Sequence, residues 1–249
     1  MNEIHESNRA RWNEWAEWWG QRADRRGVWH MCHRDPTLVL SAGELRLLGN
    51  VRGKDVCVLG SGDNEVVFAL AGMGANVTAV DISEKQLQIA RARAAFLGLD
   101  VSFLRADVTD LSSMPDGSFD IVYTGGHVSV WISDICKYYG EAVRILKAGG
   151  LFIANEYHPV RRMWLDGDGP LPQHRYFKRG PYEYRTKQGL PQTEFHWTVA
   201  DHIQALLDAG CTLAHVEEYG EGKEDEDFEK WMPATLPLYL LIAGCKASA

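Results

Sequence analysis

Val58-Leu59-Gly60-Ser61-Gly62-Asp63-Asn64 is the stretch that decides the fold. It continues Asp55-Val56-Cys57, so an apolar run of buried-strand size enters a glycine turn. Residues 64–73 then read as a helix. Glycine at 60 and 62 lets the backbone turn tightly and approach a ligand closely. The next strand is Val77-Thr78-Ala79-Val80, ended by Asp81, about 20 residues beyond the turn. A carboxylate there can accept hydrogen bonds from the hydroxyls of a ribose.

Working outward, the same rhythm repeats. Ser83 with Gln86 reads as a capping box; Leu87, Ala90, Ala94 and Leu97 make one stripe, and Gly98 stands at the C-cap position. Residues 101–105 and 119–124 are further strands, 133–146 a helix, and 151–155 a fifth strand. Strands alternating with helices predict an α/β, Rossmann-like, doubly wound sheet with helices on both faces. Such sheets bind ligands beyond the carboxyl ends of their strands. The residues that follow each strand are therefore the candidates: Asp81, then Asp107 in Arg105-Ala106-Asp107-Val108, then Thr124-Gly125-Gly126-His127, then Asn155-Glu156-Tyr157-His158.

The flanks differ from this core. Residues 5–20 read as a helix with Trp12, Trp15, Ala16 and Trp19 on one face, and residues 37–49 as a second helix. Residues 156–197, rich in Pro, Gly, Arg and aromatics, show no clear period, and loops of such length are often functional. Thr198 with Asp201 caps a helix ending at Gly210, and residues 212–218 and 236–246 are two final strands. The expectation is one domain, residues 1–249: a helical cap (1–50), a core (51–155), an acceptor-covering insert (156–197) and a C-terminal helix with strands (198–249). The sheet is mixed and seven-stranded, with its last strand antiparallel.

The net charge of −8 argues against nucleic acid as the partner, since phosphate binding requires a basic footprint. Much of the acid clusters in residues 217–230, read as a solvated loop. No apolar stretch reaches the roughly 18 residues of a membrane span, and the polar, Trp-rich start is unlike a signal peptide. Five cysteines, an odd count without a CxxC pair, fit buried thiols in a reducing cytoplasm better than disulfides or zinc. No spacing suited to a metal appears.

A dinucleotide fingerprint requires a third small residue where Glu65 stands. An acid there would lie near a pyrophosphate, which counts against a nicotinamide oxidoreductase. The only Tyr-x-x-x-Lys match, Tyr219 with Lys223, spans two glycines and makes a poor helix. A ligand without phosphate and with a cation suits the turn better.

The segments 56–64, 77–83, 105–108, 119–127 and 144–153 resemble the successive motifs of class I S-adenosylmethionine-dependent methyltransferases, with the small-molecule enzymes of quinone biosynthesis most similar. Phe119-Asp120 and Leu146-Lys147-Ala148-Gly149-Gly150 carry much of the likeness. The resemblance implies S-adenosylmethionine as cofactor and a small-molecule acceptor. Leu59, Gly60, Ser61, Gly62 and Asn64 would lie against its methionine part. Asp81 would bind the ribose, with Ile82 and Gln86 beside it. Asp107 would read the adenine amine with Val108 packed near, Thr124 and Gly125 would line the sulfonium side, and Trp19 of the N-terminal helix would help cover the cofactor. The family has an acid where Val58 stands and a glycine where Asn64 stands; the ammonium-orienting carboxylate is missing from its usual place, which leaves Asp63 or backbone carbonyls to replace it. A non-catalytic adenosylmethionine-binding module is the reading that this departure keeps open.

Methyl transfer from a sulfonium depends mostly on alignment, and a general base matters only if the acceptor must lose a proton. His127, Glu156, His158 and His196 are the candidates, with Trp131 and Trp164 as acceptor-pocket walls and Arg161 and Arg162 as attractors of an anionic acceptor. His5, His33, His174, His202 and His215 read as surface or helix positions. The atom methylated and the oligomeric state are not legible.

Overall fold

The computed structural model describes residues 2–164, 169–186, 189–220 and 232–248. Strand β1 (Asp55–Leu59) sits mid-sheet, with β2 (Asn76–Asp81) and then β3 (Val101–Arg105) on one side. On the other side come β4 (Phe119–Gly125) and β5 (Leu146–Tyr157). These five are parallel, and the order turns back between β1 and β4. The seven-stranded sheet is completed by two C-terminal strands. The last, Tyr239–Lys246, runs antiparallel between β5 and the outer strand Cys211–Tyr219.

Alternation along β1 divides the core. Cys57 and Leu59 face Tyr138, Tyr139, Ala142 and Leu206, on one side. Val56 and Val58 face Leu48, Phe68, Ala90 and Ala94, on the other. The helices are α1 (Glu3–Arg26), α2 (Ala42–Leu48), α3 (Glu65–Gly72), α4 (Glu84–Leu97), α5 (Ile135–Arg144) and α6 (Val199–Asp208). Thr198 and Asp201 form the expected capping box. At α4, Ser83 accepts from the Gln86 N–H, and Gly98 closes the helix at φ 68°.

Five elements depart from expectation. Helix α1 runs to Arg26, beyond the apolar stripe, because Gly27 supplies a left-handed cap and Arg93 holds the Gly20 carbonyl. The stretch before α2 is a short 3₁₀ turn, Pro36–Leu38, so the helix begins only after its cap Ser41. Strand β5 starts at Leu146, because a bulge opposite Phe119 and Ile121 absorbs the Lys-Ala-Gly-Gly run. It also extends to Tyr157, so Glu156 belongs to the strand. The insert holds a hairpin, β6 (Tyr182–Arg185) and β7 (Pro191–Glu194). Its β7 docks on α1: Asn8 Nδ2 donates to the Thr193 carbonyl at 2.9 Å, and Thr193 N donates back to Asn8 Oδ1 at 3.0 Å. The outer strand is β8 (Cys211–Tyr219) and the last β9 (Tyr239–Lys246); β9 begins late because Leu236 N turns back to Pro233 O. Most of the acidic loop, residues 221–230, and Lys223 of the Tyr-x-x-x-Lys match lie outside the described residues.

Candidate cofactor site

A cavity of about 320 Å³ opens at the carboxyl ends of β1 to β4, under α1. Gly60, at φ 61°, makes the turn: a Cβ there would lie 2.5 Å from Val128 Cγ2. Ser61 N donates to the Val80 carbonyl and ties the turn to β2. Asn64 caps α3, its side chain accepting from Val66 N at 2.9 Å, and also lines the cavity.

Asp81 accepts from Gly62 N and Ser83 N, each at 2.7 Å. Burial pushes its pKa up to about 6, against the pull of those N–H donors. Each carboxylate oxygen accepts more than one hydrogen bond, so capacity remains for a pair of ligand hydroxyls. Ile82 and Gln86 line the wall beside it.

Asp107 and Val108 close the far end. Asp107 Oδ1 accepts from the Thr109 backbone and hydroxyl, and Oδ2 lies 2.7 Å from His5 Nδ1. Burial pushes the Asp107 carboxyl up, but these hydrogen bonds outweigh it and hold it below the usual range. His5 Nε2 accepts from Ser133 N, which leaves Nδ1 as the donor to Asp107. His5 was read as a surface or helix position; it does lie in α1, but it is 2% exposed and lines the cavity. With it, Asn8, Trp12, Trp19, Ala23 and Arg26 form one stripe along α1. The signal was present in the sequence: the tryptophan stripe continues at helical spacing in polar residues on both sides.

Leu59, Thr124 and Gly125 stand behind this lining and do not reach the cavity. Leu59 is core. Thr124 donates to the Leu59 carbonyl and accepts from Tyr138, because its side chain points into the sheet packing. A Cβ at Gly125 would lie 2.6 Å from Tyr123 Oη, so only glycine fits the close packing there.

Of the histidine and acid candidates, His127 alone lines the cavity, with Val128, Trp131, Ile132 and Tyr157. Its φ is 84°, an uncommon value for a non-glycine residue. Arg162 Nη2 lies 3.4 Å from its Nδ1. Burial, then the Arg162 and Arg161 charges, holds the imidazole well below its ordinary pKa. Glu156 does not line the cavity: it lies beneath the loop, accepting from Ser129 N at 3.1 Å, and burial pushes it up to about 7. His158 is turned away to Glu218, with Nε2 at 2.6 Å and Nδ1 accepting from Val160 N. His196 stacks on Tyr182, outside the lining. Trp164 packs with Met232 and Leu238 in a separate cluster.

The cavity fits a nucleoside with a charged tail. Ser61 Oγ, Gln86 Oε1, Glu65 Oε1 and Trp19 Nε1 are buried polar atoms on lining residues without a hydrogen-bond partner among the described residues. Such atoms are costly unless a ligand satisfies them. Glu65 also puts an acid where a dinucleotide would place its pyrophosphate.

A family described as a methyltransferase domain matches residues 57–154. A demethylmenaquinone methyltransferase of Thermus thermophilus is 36% identical over 163 residues, 60% of this chain and 69% of that protein. An uncharacterized methyltransferase of Bacillus subtilis is 30% identical over 173 residues, 64% of this chain and 66% of that protein. The chain spans just under two thirds of the Bacillus relative's length, and 47% of a Leptospira demethylmenaquinone methyltransferase. The crystal structure of an S-adenosylmethionine-dependent methyltransferase of Mesorhizobium loti shares the fold, with TM-score 0.61 and 23% identity, covering 81% of this chain and 94% of that one. The chain belongs to the class I S-adenosylmethionine-dependent methyltransferases, and S-adenosylmethionine is the cofactor of that family.

Proposed function

We propose that this methyltransferase passes the methyl group to a small-molecule acceptor held between the glycine turn and the His127 wall. One observation carries the reading: beside the glycine turn, the cavity has a mostly apolar wall of Val128, Trp131, Ile132 and Tyr157, with His127 as its polar neighbour. Concave, mostly apolar sites with a few placed polar groups suit small ligands. The net charge of −8 disfavours nucleic acid. Cys32, Cys57, Cys136, Cys211 and Cys245 are all free thiols, which favours a reducing cytoplasm. Among the described residues no helix is long and apolar enough to cross a membrane.

Bound adenosylmethionine supplies a methyl on a sulfonium, whose leaving group is a neutral thioether. The residues need mainly to align and to exclude water, effects worth up to ~7–11 kcal/mol. Asp81 would hold the ribose and Asp107, with Val108 packed beside it, the adenine. Trp12 and Trp19 cover the cavity, and the β6–β7 hairpin braces α1 through Asn8 and Thr193. Arginine offers only donors, so Arg162 leaves His127 Nδ1 accepting and its Nε2–H free to donate. His127 is therefore read as orienting an oxygen of the acceptor, in preference to removing a proton. Glu156 holds the loop that carries it.

The test is transfer from methyl-labelled adenosylmethionine to three pools: small phenols and quinols, RNA, and protein. Quinols are included because the Thermus relative is named for demethylmenaquinone and a Thiobacillus denitrificans relative, 27% identical over 151 residues, for ubiquinone biosynthesis. Label in the small-molecule pool is expected. Label confined to RNA or protein would overturn the proposal.

A further inference from the structure

The class motif leaves one recognition problem unsolved in this chain. Adenosylmethionine carries an ammonium, and an ammonium taken from water needs an anionic or carbonyl partner. Val58, at the usual acid position, is apolar and 1% exposed. Asp63 is spoken for: its Oδ2 lies 2.5 Å from Arg93 Nη1, and that guanidinium also binds Asp24 and the Gly20 carbonyl. Asp81 is committed to Gly62 and Ser83.

One acid of the cavity has no such commitment. Glu65 is the first residue of α3, lines the cavity, and holds a buried Oε1 without a hydrogen-bond partner. Burial raises its pKa, while the Arg26 charge and its place in the first helical turn favour the ionised form that a cation would bind. Across the same cavity stands Arg26, from the last turn of α1. The end of one helix and the start of another thus present a guanidinium and a carboxylate to one space, the complement of an amino acid's two charged groups.

We infer that Glu65 is the carboxylate that binds the methionine ammonium in this chain, replacing the acid absent at position 58, with Arg26 facing the methionine carboxylate. The inference rests on the adenosylmethionine reading. It makes the cofactor a bridge between α3 and the tail of α1, so that binding holds α1 over the cavity.

Calorimetry with two nucleosides isolates the point. S-adenosylhomocysteine carries the amino-acid end; 5′-methylthioadenosine has the same nucleoside and thioether without it. Glu65→Gln should weaken adenosylhomocysteine at least tenfold and leave methylthioadenosine unchanged, and Arg26→Gln should act in the same direction. Thermal melting of the unliganded variants checks that they fold. Equal loss for both ligands, or no loss for either, would overturn the assignment. Failure of the folded wild type to bind either nucleoside would instead remove the cofactor reading beneath it.

Discussion

His5 Nδ1 and Asp107 Oδ2 lie 2.7 Å apart, joining the first turn of α1 to the loop after β3 across 102 positions of sequence. Both side chains are buried, and the contact pins the helix over the cavity end where adenine would sit. A buried hydrogen bond to a charged group contributes about 1.5–3 kcal/mol. His5→Ala is therefore expected to lower Tm by roughly 2–4 °C for each kcal/mol lost, and to weaken adenosylmethionine binding. Because the Asp107 carboxyl is held below its ordinary pKa, its contribution is present at neutral pH and disappears as pH falls through its folded-state pKa. A melt series on wild type and His5→Ala should show the gap between them closing in acid.

Asp81 behaves in the opposite sense. Its folded-state pKa is about 6, above the ordinary carboxylate value, so the unliganded protein gains stability from this group in acid and loses it as pH rises through about 6. Ribose hydroxyls bind best to the ionised form, so cofactor affinity should fall as pH drops below that value. Opposite slopes of stability and affinity are expected between pH 5 and 7 (roughly the interval around that pKa). Asp81→Asn should flatten its share of both.

Gly60 and Gly62 differ in what confines them. Both have positive φ, but a Cβ at Gly60 meets Val128 at 2.5 Å, and one at Gly62 meets nothing closer than 3.9 Å. Gly60→Ala should cost more than the ~1–3 kcal/mol of backbone strain alone; Gly62→Ala should cost little beyond it. Urea titrations of both variants, with Val128→Ala added to Gly60→Ala, measure the difference. The second substitution should recover part of the loss.

His127 depends on Arg162. Removing the guanidinium with Arg162→Met takes away a nearby positive charge, so the His127 pKa should rise toward its ordinary value, measurable by NMR titration. His127→Ala, which removes a positioned hydrogen-bond donor, should lower kcat by about 10²-fold, with adenosylmethionine affinity close to wild type. Loss of binding in place of kcat would move His127 from the acceptor to the cofactor.

The core was legible because its signals are local. The apolar run ending at Leu59, the Gly60–Gly62 turn and Asp81 are each set by a few neighbouring residues, and the positions of β1 and β2 follow from them. The hairpin at Tyr182 and Pro191 was not. Its strands are only four residues each, too short to stand out, and are held by α1 through Asn8 and Thr193, a contact no local pattern encodes. The early start of β5 depends on a bulge against β4. In the site, Asp81, Asp107, His127 and Trp19 follow from strand ends and helix phase. His5 and Arg26 escaped because they are polar residues on a stripe recognised by its tryptophans. Leu59, Thr124 and Gly125 lie one layer too deep, a distinction of side-chain direction that motif position does not supply.

The central claim is that the cavity under α1 binds S-adenosylmethionine through Asp81. Calorimetry of adenosylmethionine on wild type and on Asp81→Ala tests it directly. Micromolar binding by wild type that is abolished or much weakened by the substitution is the predicted result. No binding by folded wild type, or binding untouched by Asp81→Ala, would contradict it.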